Sequence, residues 1–241
     1  MACTSTAPLS QNDIQRFAGE PLHVLNYDPG KFEVRTAGRE LFGLPLVVAG
    51  GAMAPGIGGA IGGAASGAVG RAATTYAGGK IAQQYQVRDP ALLVKQELAE
   101  LLKDQLGIRE VQMLEKPQKS SSRSPKELKT ILPDARFVLD VRTKYWSVSH
   151  FPTQWNRYRV MILVRARLID LPADRVLTIA DSRIIETYED NDTAPTYEEL
   201  FLNDAALLKV KLEEVARLVV ADLGKKLISG QASGGSKTPA N

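Results

Sequence analysis

Apolar and polar positions along this chain recur with two different periods, and the switches between them mark the elements. Phe137, Leu139, Val141, Thr143 and Tyr145 alternate with Val138, Asp140, Arg142, Lys144 and Trp146. Tyr158, Val160, Ile162, Val164, Ala166 and Leu168 alternate in the same way with Arg157, Arg159, Met161, Leu163, Arg165 and Arg167. A period of two is that of a strand with one buried face. Leu171-Pro172-Ala173-Asp174 makes a short turn into a third strand over Arg175 to Tyr188. Connections this short predict antiparallel neighbours.

The helical period appears on either side. Asp89 and Pro90 form a helix start, the carboxylate as cap and proline at the first helical position. Val94, Leu98, Leu101, Leu102 and Leu106 follow at helical spacing, with Gly107 as the stop. Ile108 to Leu114 is a further strand, Lys116 to Pro125 a polar loop, and Lys126 to Leu132 two helical turns ending at Pro133. Tyr197 to Ile228 reads as one long helix, its apolar stripe traced by Leu208, Leu212, Val215, Val219, Leu223 and Leu227. Upstream, Leu22–Val24 and Phe32–Val34 flank the turn signal Asp28-Pro29-Gly30, giving a hairpin or two extended segments. The expected fold is α+β: an antiparallel sheet with helices packed on one face, preceded by a Gly/Ala-rich helical or hairpin segment. The expected divisions are a flexible tether over 1–20, the extended segment or hairpin over 21–40, the Gly/Ala-rich packing segment over 41–88, the α+β domain over 89–228, and a disordered tail over 229–241.

Composition changes this picture at two places. Eleven of the 20 glycines lie between Gly50 and Gly79, with nine alanines, and Leu41 to Gly70 carries no charge. Gly59, Gly63 and Gly67 form one four-spaced row, and Gly58, Gly62, Ser66 and Gly70 another. On a helix such rows let another backbone approach closely. The segment is thus a membrane-inserted helix or hairpin, a helical hairpin packed on the protein or on another subunit, or a glycine loop. Pro45 and Pro55 count against a single straight span. The second place is Cys3, the one cysteine, followed by the small, uncharged leader Thr4 to Gln11. It resembles the lipid-modified first residue of a mature bacterial lipoprotein, with Met1-Ala2 standing where a hydrophobic signal would have been removed.

The order of elements from Asp89 to Ile228 resembles the TolB-type amino-terminal fold of envelope lipoproteins such as the curli secretion lipoprotein CsgG and penicillin-binding-protein activators. The strand–turn–strand over Val160 to Arg183 carries that resemblance, and the run of small residues followed by the helix from Asp89-Pro90-Ala91 to Leu102 resembles uncharacterised proteobacterial lipoproteins. It implies an accessory or scaffold protein of the outer membrane facing the periplasm, and it brings no catalytic signature. A pore like that of CsgG is not expected, since no pair of amphipathic hairpins is present.

Charge and motifs point the same way. Lys and Arg number 30 against 27 Asp and Glu, a net +3 with a pI near 8.9. That excess, with 6% aromatic residues, predicts no nucleic-acid partner. His23 and His150 are the only histidines and lie far apart, so no zinc set and no histidine-dependent nucleophile is expected. Gly56-x-Gly58 has no strand before it of the kind a dinucleotide turn requires. No metal, cofactor, small-molecule substrate or enzymatic activity is expected. Glu186, Glu189, Asp190, Asp192, Glu198 and Glu199 read as a solvated loop rather than a calcium site. Arg142, Lys144, Arg157, Arg159, Arg165 and Arg167 are either a solvated sheet face with cross-strand ion pairs or a contact for anionic lipid or an acidic partner. Trp146, Phe151 and Trp155, with Arg157 and Arg159, either anchor an interface or pack over the sheet edge. The leading expectation is a non-enzymatic lipoprotein, held to the membrane through Cys3 and assembling with partners or copies of itself. The alternative is a membrane-active subunit that oligomerises through the glycine rows into a secretion or channel-like complex.

Overall fold

The computed structural model describes residues 8–35, 78–115 and 123–228. Cys3, the glycine rows Gly58, Gly59, Gly62, Gly63, Gly67 and Gly70, and the carboxy-terminal tail fall outside the described residues. The expectations placed on them concern the sequence only.

The three long strands form the predicted antiparallel meander. They are β4 (Phe137–His150), β5 (Tyr158–Asp170) and β6 (Arg175–Ile185), the first 14 residues long. Their alternation holds with one interruption. Thr143 faces Val164 and Tyr145 faces Leu163, so Lys144 is the extra residue of a β-bulge. One inserted residue reverses which side chains point inward. Trp146 and Val148 are therefore buried in the main core beyond the bulge, in place of the expected Tyr145.

Three short strands join the sheet in parallel, giving a six-stranded sheet of order β3-β1-β4-β5-β6 with β2 also on β4. Strand β1 (Pro21–Val24) and strand β2 (Phe32–Arg35) are two extended segments, not a hairpin: both run parallel to β4 along the same edge. Strand β3 (Glu110–Met113) lies parallel to β1. The α+β class stands, but the sheet is mixed. Helix α4 lies between β3 and β4, and a helical crossover returns the chain in its original direction, whereas β1 and β2 follow one another along the same edge through the non-helical residues 25–31.

The inner face carries α3 (Ala91–Leu106) and α5 (Tyr197–Ile228). All six residues of the predicted α5 stripe are buried against Val94, Leu98 and Leu102 of α3 and the inward residues of β4 and β5. The helix itself is not continuous. Leu202 is extended, and Asn203, Asp204 and Ala205 have φ of 51°, 58° and 56°, so a left-handed step separates Tyr197–Phe201 from the rest. On the other face sits α4 (Pro125–Ile131), opened by a capping box in which Ser124 and Glu127 satisfy each other's backbone N–H groups. Its Leu128 packs with Leu25, Val138, Ile169 and Leu171 in a second core, so the helices occupy both faces rather than one.

Two segments expected to stand apart belong to the fold. Within 1–20, α1 (Gln11–Phe17) is capped by Ser10 and docked at the beginning of β4. Phe17 is fully buried and stacks on Phe137 at 4.1 Å, a burial that stabilises by about 2 kcal/mol. Leu9 N–H donates to Leu227 O at 3.1 Å, Arg175 binds Asp13 at 2.6 Å, and Arg16 pairs with buried Asp170. Likewise 78–88 is not part of a separate packing segment. Helix α2 (residues 78–84) places fully buried Ile81 in the main core. Gly78 abuts β2 so closely that a Cβ there would lie 2.1 Å from Phe32 O. Among the described residues no helix is long and apolar enough to cross a membrane.

Candidate functional site

The structure disperses the aromatic cluster read from the sequence. Trp146 is 2% exposed, stacks on Phe32 at 4.3 Å and donates its Nε1–H to Gly30 O at 2.9 Å. It is a core residue and not an interface residue. Phe151 is buried, edge-on to Tyr188 at 6.2 Å, with the Arg159 guanidinium 4.8 Å over its ring. Arg157 donates to Ala194 O at 2.8 Å and lies 3.8 Å from Glu199, fastening the start of β5 to the approach to α5. Only Trp155 faces water, 60% exposed and stacked on His150 at 5.2 Å. The bulge explains the loss: it turns Trp146 to the opposite side of the sheet from the phase that the alternation gives.

Most of the expected basic face is internally neutralised. Asp140 is fully buried and accepts from Arg167 Nε at 2.7 Å and from its Nη2, while Arg142 Nε lies 3.3 Å from the other oxygen. Arg165 grips Asp181 through two bonds of 2.6 Å, and the hydrogen bonding to Asp181 holds its pKa above the ordinary guanidinium value. Burial, reinforced by the charge of Asp140, pushes the Tyr27 phenol well above its usual range, and the Arg142 guanidinium lies 5.5 Å over that ring. Four of the six carboxylates of the acidic segment are likewise committed. Glu186 pairs with Lys211 at 3.1 Å, Asp190 caps the 3-10 turn Asn191–Thr193, Asp192 accepts from Gln154, and Glu199 accepts from Thr196 N–H at 2.7 Å. That bond holds the Glu199 pKa below the ordinary carboxylate value. Among the described residues no group of three or more His, Cys, Asp and Glu side chains is placed to hold a metal.

What remains is a cleft that sequence reasoning missed. Strand β1 uses the edge of β4 at Phe137–Leu139, and β2 uses it at Trp146–Ser149. Between them no strand runs along the edge of β4, and the segment from Asn26 to Lys31, with Tyr27 in a single β-bridge, connects the two short strands. The space is about 330 Å³, walled by Tyr27 to Gly30, by Asp89, Ala91, Leu92 and Lys95 at the start of α3, and by Val141 to Lys144 around the bulge. Asp89 organises the wall. Its Oδ1 accepts from Ala91 N–H at 2.8 Å and from the Thr143 hydroxyl at 2.6 Å, and its Oδ2 accepts from Gly30 N–H. A Cβ on Gly30 would lie 3.0 Å from both Asp89 Oδ2 and Thr143 Cβ, so the approach leaves little room for a side chain. Lys95 is 5% exposed, and its ammonium donates to Asn26 Oδ1. Burial lowers its pKa, partly offset by the charge of Asp89. The sequence carried one signal for it: Lys95 stands four residues from both Ala91 and Ala99, a buried row beside the leucine stripe.

No protein-family model and no curated protein matches the sequence. Several solved structures share its outline at low identity. Protein XCC0632 of Xanthomonas campestris, assigned to the family model DUF330, is 11% identical with a TM-score of 0.39, and 96% of each chain is covered. The PelC dodecamer of Paraburkholderia phytofirmans is 11% identical with a TM-score of 0.32, over 89% of this chain and 96% of that one. Lipoprotein GNA1162 of Neisseria meningitidis is 13% identical with a TM-score of 0.26, over 82% of this chain and 99% of that one. One of these proteins is named a lipoprotein, and overlaps this loose transfer no role.

Proposed function

We propose that the protein is a non-catalytic lipoprotein of the bacterial outer membrane, acylated on Cys3 and presenting a TolB-type α+β domain to the periplasm as a scaffold for an envelope assembly. The observation that carries the reading is the docking of the leader. Leu9 is tied to Leu227 O at the end of the sheet where β4 begins, directly after the small, uncharged stretch that follows Cys3. Six residues of extended chain reach about 20 Å at most, so a lipid on Cys3 would hold that end of the domain close to the membrane. The other end lies a β4 length away, about 45 Å for 14 residues. It carries exposed Trp155 and the close of β2 at Arg35, where the chain enters the Gly/Ala-rich region. In this arrangement the end far from the anchor meets the partners.

The test is metabolic labelling of the natural gene product with an alkyne fatty acid, in wild type and in Cys3→Ser. Label on the wild type, partition into the membrane fraction, and loss of both in Cys3→Ser are expected. A free Cys3 thiol on a protein found in the cytoplasmic fraction overturns the proposal.

A further inference from the structure

The cleft beside the β4 bulge combines features that a purely structural gap would lack. A buried ammonium is costly unless it is compensated. Lys95 has a single hydrogen-bond acceptor among the described residues, the neutral Asn26 Oδ1, so two of its three N–H donors remain uncommitted. The nearby carboxylate of Asp89 is occupied by Gly30, Ala91 and Thr143. A neutral donor at position 95 would bind Asn26 equally well without burying a charge. Asp89 offsets part of that cost through its charge but accepts no hydrogen bond from Lys95 among the described residues, so the ammonium keeps donors for a further acceptor in the cleft.

We infer that this cleft is a binding site for a small organic carboxylate, its acid group on Lys95 and its apolar body against Leu92, Val141 and the Tyr27 ring. The walls select among anions. Two uncommitted donors match one carboxylate, whereas phosphate brings a second charge and more acceptors into a wall that already holds Asp28 and Asp89. Lys144, the bulge residue, stands exposed at the rim and adds a positive charge where an anion enters. A volume of about 330 Å³ lies at the small end of ligand sites and suits a short aliphatic or aromatic acid.

The test uses the full chain and two probes, benzoate and inorganic phosphate, followed by amide chemical shifts. Benzoate at up to about 20 mM, a range suited to millimolar affinity, is expected to cause saturable shifts confined to Asn26–Gly30, Ala91–Lys95 and Thr143–Lys144. Lys95→Gln, which keeps a donor for Asn26, is expected to weaken binding by about tenfold or more, as loss of a charged hydrogen bond does. Lys126→Gln on α4 is expected to leave it unchanged. Absence of saturable shifts in the wild type overturns the site outright, with no reliance on any variant folding. Equal binding by Lys95→Gln overturns the role of the ammonium, and phosphate binding as tightly as benzoate overturns the choice of carboxylate.

Discussion

The ion cluster of Asp140, Arg167 and Arg142 on β4 and β5 gives the sharpest test of how this fold handles charge. Asp140 is completely buried, Arg167 is 7% exposed, and the two are joined through Nε and Nη2. Removing the carboxylate charge with Asp140→Asn leaves the Arg167 guanidinium buried and Arg142 without its charged neighbour. Breaking a buried pair from one side costs about 3–5 kcal/mol. Arg167 also donates to Arg123 O at 3.1 Å, so part of its hydrogen bonding survives, and the low end, about 3 kcal/mol, is expected. That is a large share of the roughly 5–15 kcal/mol that holds a typical domain together. Urea denaturation of wild type, Asp140→Asn, Arg167→Met and the double variant measures it. The double variant should be more stable than the sum of the single losses by about 2 kcal/mol, because neither charge is then left alone. An Asp140→Asn loss below about 0.5 kcal/mol, or a coupling that small, would refute the reasoning and return the pair to the status of a surface contact.

Three further outcomes are expected. Gly78→Ala should lower stability by about 1–3 kcal/mol in the same urea assay, because its Cβ would meet the backbone oxygen of Phe32 at 2.1 Å. Trp155→Ala should change stability by no more than about 0.5 kcal/mol, and Trp146→Phe by about 1 kcal/mol or more through loss of the bond to Gly30 O. A Trp155→Ala loss as large as that of Trp146→Phe would show that the exposed ring is part of the core. Asp13 gives an acid dependence: hydrogen bonding from Ser10, with help from Arg175, lowers its pKa from the ordinary 3.8. A carboxyl with a depressed folded pKa contributes stability above its unfolded value and loses it as pH falls through the folded value. The urea midpoint of the wild type should thus fall more steeply below about pH 4 than that of Asp13→Asn; parallel curves would remove Asp13 from the account.

The described fold was legible where the cause is local. The strand alternation of β5, the Asp89 start and Gly107 stop of α3, the two turns of α4 and the full apolar stripe of α5 each follow from neighbouring residues alone. The break at Leu202–Ala205 escaped notice because the apolar spacing resumes on its far side with the stripe intact. Helix α1 escaped because its leader is polar and its burial rests on single residues, Leu9 and Phe17, which form no repeat.

By itself the sequence determined an α+β domain, its antiparallel centre, and the absence of any recognisable catalytic motif. Tertiary structure alone decided which side chains face the core beyond residue 143. A period-two pattern is blind to one inserted residue, and only pairing with β5 reveals that Lys144 is the insertion. It also decided which charges are surface and which are structure, since only the fold shows Asp140 and Arg167 buried and paired with each other. The cleft belongs to the same category. Gly30 and Trp146 are 116 residues apart, and Lys95 and Asn26 are 69 apart. No local pattern can announce a space that exists only because two short strands share one edge of a third and leave its middle open.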